Sequence, residues 1–273
     1  MSVPPRRRIL AIGGHEFDRR AGNEALCDLI VELADADRPR VCLLPTASGD
    51  PHEQIARFRR AFGERECEPS EISLFRLGIK PVELRDELIA QDAVYVGGGS
   101  MTNLIAIWRA HGLDAILREC WDAGVLLCGQ SAGAMCWFEH GITSSSGEPE
   151  AAPGLGLLPG SVCVHYRSEP MRRKRYQHAL TEGLEPGLGL EDQTAALFEG
   201  RRLAEVVSAR TGASVWRVEE VAGEVSEEPL EGRRLEDPRP PIDAVKADVI
   251  ELRQTLASRT AARRSRRGVN RLD

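Results

Sequence analysis

The chain has 273 residues, 42% of them hydrophobic and 29% charged, an ordinary globular balance with enough apolar material for a sizeable core in one large domain or two small ones. Its net charge of −6 argues against nucleic acid as the main partner. No run of eighteen apolar residues occurs, and the ILAIGG stretch behind Arg6, Arg7 and Arg8 is too short for a signal-peptide core, so no membrane partner and a cytoplasmic location are expected.

In chain order, short unalternated apolar runs take turns with helical patterns. ILAIGG (9–14) predicts a strand and 21–34 a helix, with apolar Leu26, Leu29, Ile30 and Leu33 on one face. VCLLP (41–45) is a strand before a helix at 51–62, EISLFRL (71–77) a third strand, and 81–90 a helix that starts on Pro81, where a missing N–H costs little. AVYVGGG (93–99) and VLLCG (125–129) are strands, with helices at 101–110 and 113–123 between them. Strands of this kind, separated by helices, predict a flavodoxin-like, doubly wound α/β fold with a mostly parallel sheet. Chemistry in such sheets lies beyond the carboxyl ends of the strands, where Gly13-Gly14, Gly97-Gly98-Gly99 and Gly129-Gln130-Ser131 stand here.

The second half reads differently. Turn residues fill much of 141–160, then SVCVHY forms a strand and 170–182 a charged helix. Strands at 194–199, 202–208 and 213–218 are expected as antiparallel hairpins at the sheet edge, where two subunits could pair into a homodimer. A Pro- and charge-rich stretch follows Glu227, then a helix near 242–258 and a basic tail. The expected division is a catalytic domain over 1–233 and a helical C-terminal extension over 234–273.

Seven cysteines, several inside apolar runs, read as buried free thiols rather than a disulfide framework. No C-x-x-C pair or Cys/His cluster with zinc spacing occurs, so neither a metal nor a cofactor is expected.

The most informative segment is VLLCGQSAGAMCWF. Gly129-Gln130-Ser131-Ala132-Gly133 is a G-x-S-x-G between a strand and a predicted helix, the setting in which a sharp turn presents a serine hydroxyl beyond the sheet. The N–H groups and dipole of that helix would favour a developing oxyanion. An anion-binding turn using the same N–H groups is the bland alternative. The Gly97-Gly98-Gly99 turn lets backbone approach a substrate, with Gly99 N–H beside Ala132 N–H as oxyanion donors. It lacks the G-x-G-x-x-G spacing of a dinucleotide loop.

An activated serine needs a base and a group to orient it. Six histidines compete. His111, His140 and His178 fit helix ends or a helix surface, while His15 and His52 follow strands and could line a site. His165 ends the apolar strand SVCV, with polar Tyr166, Arg167, Ser168 and Glu169 behind it, and is the best placed. Glu191 and Asp192 in LGLEDQTA offer the third group, and spacing does not choose between them.

Taken together, VCLLPTAS (41–48), YVGGGSMTNLIAIWR (95–109), LLCGQSAGAMCWF (126–138), LGLLPGSVCVHY (155–166) and LGLEDQTAALF (188–198) resemble the peptidase E and cyanophycinase family of serine peptidases, whose fold is related to class I glutamine amidotransferases. The resemblance implies a triad of Ser131, His165 and Asp192, with Glu191 as the fallback acid and Gly99 and Ala132 as oxyanion donors. It implies short peptides as substrates, Asp-X dipeptides among them, or the β-aspartyl-arginine links cut by cyanophycinases. A non-catalytic binding protein on the same fold is the rival from another class. Ser100 stands where the family often has Asn, Val164 where it often has Pro, and Asp192 where peptidase E has Glu. Ser100, Arg167 and Arg172 are candidate substrate contacts, although the arginines equally fit a basic helix face.

Overall fold

The computed structural model describes residues 5–18 and 22–235, so the expected helix at 242–258 and the basic tail lie outside the described residues. Four largely apolar runs and one polar one form β1 (Arg8–Ile12), β2 (Arg40–Leu44), β3 (Glu68–Glu71, the polar one), β4 (Ala93–Val96) and β5 (Leu126–Gln130). They are parallel, in the order β1-β5-β4-β2-β3. Their connections carry α1 (Asn23–Ala34), α2 (His52–Gly63), α3 (Leu84–Ile89), α4 (Met101–Ala110) and α5 (Leu113–Ala123).

Alternate residues of each strand bury on opposite faces. Leu10, Ile12, Leu43 and Tyr95 pack with Leu26 and Ile30 of α1 and Phe58 and Phe62 of α2. Ile9, Ala11, Leu44 and Val96 pack with Leu88, Leu104, Trp108 and Leu117 of α3, α4 and α5. Each such large side chain contributes about 1.5–3 kcal/mol by leaving water, so the sheet that carries the first three glycine turns is a rigid platform.

The expected strand at 71–77 is displaced. The segment that pairs with β2 is Glu68–Glu71, and Leu74–Arg76 forms a single 3-10 turn. A polar strand containing Pro69 is tolerated because β3 is an edge. Ile72 and Leu74 still reach the core, but from the turn.

Beyond β5 the chain departs further from expectation. The helix after Ser131 is one turn, α6 (Ala132–Met135), and the next element is a strand, β6 (Phe138–Thr143). His140 therefore lies in a strand, not at a helix end. With β7 (Glu150–Pro153), β8 (Leu158–Val164) and β9 (Gly187–Leu190), β6 builds a second sheet. α7 (Pro170–Thr181) covers one face of it through Tyr176, Ala179 and Leu180.

Of the three expected edge strands, β10 (Thr194–Glu199) and β11 (Arg202–Ser208) form the antiparallel hairpin and extend the first sheet beside β1. The third, β12 (Val215–Val221), instead joins the second sheet between β9 and β13 (Glu224–Leu230), because its pairing with β9 buries Val215 and Val218. A two-residue β14 (Arg233–Arg234) closes the first sheet's edge against β11. The final orders are β14-β11-β10-β1-β5-β4-β2-β3 and β13-β12-β9-β8-β6-β7.

The passage from β9 to β10 locks the sheets together. Gln193 N–H donates to the Gly14 carbonyl at 2.8 Å, and Gly13 N–H donates to the Thr194 carbonyl at 3.0 Å. All seven cysteines are buried thiols, and none is in a disulfide. Among the described residues no helix is long and apolar enough to cross a membrane.

Candidate active site

Ser131 follows β5 with φ 54° and ψ −115°, a strained backbone for a residue with a side chain. The turn is held by Ser131 N–H to the Ile12 carbonyl (3.1 Å) and by Ala134 and Met135 N–H to the Ser131 carbonyl (3.0 and 2.9 Å). It closes only around small residues. A Cβ on Gly129 would lie 2.5 Å from the Gly133 carbonyl oxygen, and one on Gly133 would collide with the Val96 carbonyl. Because α6 has four residues, the N–H groups of this turn act singly rather than through a summed helix dipole.

The second sheet supplies the neighbours. β8 and β9 are parallel, with Val164 opposite Leu190, so His165 and the Glu191-Asp192 pair leave the sheet at the same end. His165 takes φ 55°, and its imidazole Nε2 lies 3.0 Å from Ser131 Oγ. Its Nδ1 lies 2.5 Å from Asp192 Oδ1. Ser168 Oγ donates to the other oxygen, Oδ2, at 2.6 Å. The hydrogen bond from His165, helped by that from Ser168, holds the Asp192 carboxyl below its ordinary range against the opposing effect of partial burial. Asp192 is therefore ionised at neutral and mildly acid pH.

The two halves meet at Gly14. A Cβ there would collide with Asp192 Oδ1 and sit 2.9 Å from His165 Cε1. A glycine at this strand end is thus a condition for the Ser131–His165–Asp192 contact chain.

Glu191 points elsewhere. Nearly fully buried, it accepts from Trp216 Nε1–H at 2.8 Å and from Arg210 at 3.3 Å, and it pairs with Arg167 at 3.4 Å. Arg167 stacks on the Trp216 ring, 4.5 Å from its centroid. Arg172 is buried in α7, paired with Glu169 at 2.9 Å and donating to Ser144 Oγ at 3.4 Å. Ser100 Oγ caps α4 by accepting from Asn103 N–H. The side chains of Ser100, Arg167 and Arg172 are therefore engaged by the protein's own structure, and none of the three lines the cleft at Ser131.

That cleft, about 660 Å³, is walled by Gly98, Gly99, Gln130, Ser131, His165 and Asp192, with Arg210 on its rim. Its size suits a small ligand or short peptide. His15 also lines it but is buried and clamped. Its Nε2–H donates to the Asn23 carbonyl and its Nδ1 accepts from Tyr95 O–H, both at 3.0 Å. Burial pushes its pKa down to about 4, so it stays neutral. His52 is exposed and bonded to Arg76. Among the described residues no cluster of His, Cys, Asp or Glu has metal-holding geometry.

Two residues escaped the sequence reading. Ser168 gave only a weak signal, a hydroxyl three residues past the histidine. Arg210 gave none, since it sits in a turn that reads as a hairpin connection.

A serine hydroxyl on a strained strand end, an imidazole and a carboxylate in contact, and an adjacent glycine-walled cleft are the parts that hydrolysis through a nucleophile requires. The chain belongs to peptidase family S51, whose model matches residues 9–206. It is 40% identical over 225 residues to the uncharacterized peptidase YgaJ of Bacillus subtilis (strain 168), covering 82% of this chain and 97% of that one. It is 30% identical over 202 residues to a cyanophycinase of Trichormus variabilis, covering 70% and 67%. A peptidase from an acI-B1 Actinobacterium shares the fold, with a TM-score of 0.62 at 19% identity over 82% of this chain and 94% of that one.

Proposed function

We propose that the protein is a serine peptidase that hydrolyses short peptides by acyl transfer. The observation that carries the reading is the pair of contacts on one imidazole, Nε2 to Ser131 Oγ at 3.0 Å and Nδ1 to Asp192 Oδ1 at 2.5 Å. In this reading Ser131 Oγ attacks the scissile carbonyl as His165 Nε2 takes its proton. The N–H groups of Gly99 and Ala132 receive the oxyanion. His165 then returns the proton to the leaving amine, and water releases the acyl group by the same steps. Asp192 fixes the imidazole so that Nδ1 keeps its hydrogen and Nε2 is the base.

Fluorophosphonate labelling combined with a dipeptide screen tests this. Wild type is labelled and cleaves at least one dipeptide, and Ser131→Ala loses both activities. Cleavage that survives Ser131→Ala sinks the proposal. The 30% identity to a cyanophycinase favours one second reading, hydrolysis of β-aspartyl-arginine links. Turnover of that polymer in preference to every dipeptide would select it.

A further inference from the structure

When a serine acyl intermediate forms, the departing amine takes its proton from the imidazole, so the leaving half of the substrate lies on the histidine side of the nucleophile. The oxyanion lies on the other side, against backbone N–H donors. Arg210 is on the histidine side. Its Nε–H donates to the main-chain carbonyl of Asp192 at 3.3 Å, and Asp192 is the residue that holds His165.

Charges of both signs meet at this rim. Glu191 is the carboxylate shared by Arg210 at 3.3 Å and Arg167 at 3.4 Å, and its own side chain is 4% exposed and pinned by Trp216. Asp192, ionised against His165, is a second carboxylate in the field of Arg210, so the rim sets two guanidinium groups against two carboxylates. Arg167 is turned onto the Trp216 ring, and Arg210 is the one that lines the cleft. Both bonds from Arg210 are long for N–H···O, its side chain is 48% exposed, and a guanidinium has five donors. It can therefore take a further carboxylate in bidentate fashion while Glu191 keeps it in place.

A carboxylate close to the leaving nitrogen is what a free amino acid presents, since its α-carboxylate is separated from the amine by one carbon. We propose that Arg210 is a specificity-determining residue that receives the α-carboxylate of the departing amino acid, so that the bond cut is the one preceding a free C-terminus. This rests on the peptidase reading and narrows it to dipeptides and to peptides cleaved at their last bond.

The test compares the best-cleaved dipeptide of a full panel with its C-terminal amide, in wild type, Arg210→Gln and Arg210→Lys. Wild type is expected to favour the free acid by at least tenfold in kcat/KM, mainly through KM. The ratio falls to near one in Arg210→Gln and recovers several-fold in Arg210→Lys. Because the readout is a ratio within each protein, a general loss of folded or active enzyme does not move it. Equal rates on acid and amide in wild type, or an unchanged ratio in Arg210→Gln, overturn the role of Arg210 and leave the peptidase reading standing. Cleavage of no dipeptide in the panel overturns both.

Discussion

The two sheets reach the same cleft by different means. The eight-stranded sheet delivers Ser131 by a local device, five consecutive residues in which two glycines permit a turn that forces the serine backbone to φ 54°. The six-stranded sheet delivers His165 and Asp192, 27 residues apart, by the register of β8 against β9 and the connection that follows. One half of the site is written in a short motif. The other exists only once distant strands have paired.

Asp192→Asn is the hardest test of the second half. An amide leaves the shape nearly intact but can no longer anchor the tautomer with Nε2 free, and kcat/KM should fall about 10³–10⁴-fold. Steady-state kinetics on a cleaved dipeptide check it, and a loss under tenfold would remove Asp192 from the orienting role.

Gly14→Ala probes the seam between the halves. Its Cβ must displace Asp192 Oδ1 and the His165 ring, so activity should drop about a hundredfold. Thermal unfolding should show a stability loss of about 1–3 kcal/mol, small enough to leave the variant folded at assay temperature. A variant with wild-type kcat/KM would show that the two halves tolerate separation there.

The smallest effect concerns His15, which belongs to the first half. Its folded pKa of about 4 lies below the ordinary 6.5 because burial disfavours the cation. The unfolded chain therefore binds more protons as pH falls. The stability associated with neutral His15 is complete above pH 6.5 and is lost progressively down to about pH 4, at a total of about 3 kcal/mol. In urea unfolding between pH 7 and 4.5, His15→Gln should lose less stability than wild type by most of that amount. Equal losses would assign the acid sensitivity to other groups.

The same contrast explains what the sequence made legible. The helices at 101–110 and 113–123 coincide with α4 and α5, and the parallel strands emerge from unalternated apolar runs, since burial on both faces leaves that local signature. Of the second sheet only β8 and β12 show in the sequence, as SVCVHY and 213–218. β9 is GLGL and β7 is EAAP, with weak strand propensity, and β13 is studded with glutamates. The turn residues flanking Arg210 account for its connection without reference to the cleft.

The choice between Glu191 and Asp192 could not be made by strand alternation because β9 stops at Leu190 and both acids lie in the turn beyond it. What separates them is Trp216 and Arg210, which claim Glu191 from strand β12 and the turn before it.

The buried cysteines have a practical corollary. With every thiol enclosed, and those of Cys42, Cys120, Cys128, Cys136 and Cys163 held protonated by burial, the native surface offers a thiol reagent almost nothing to attack. The rate at which such a reagent consumes sulfhydryls therefore clocks how often the molecule opens, with no added label. With five positions spread through both sheets, α1 and α5, and Cys67 and Cys136 in the connections after α2 and α6, the seven would report separately on which part gives way first.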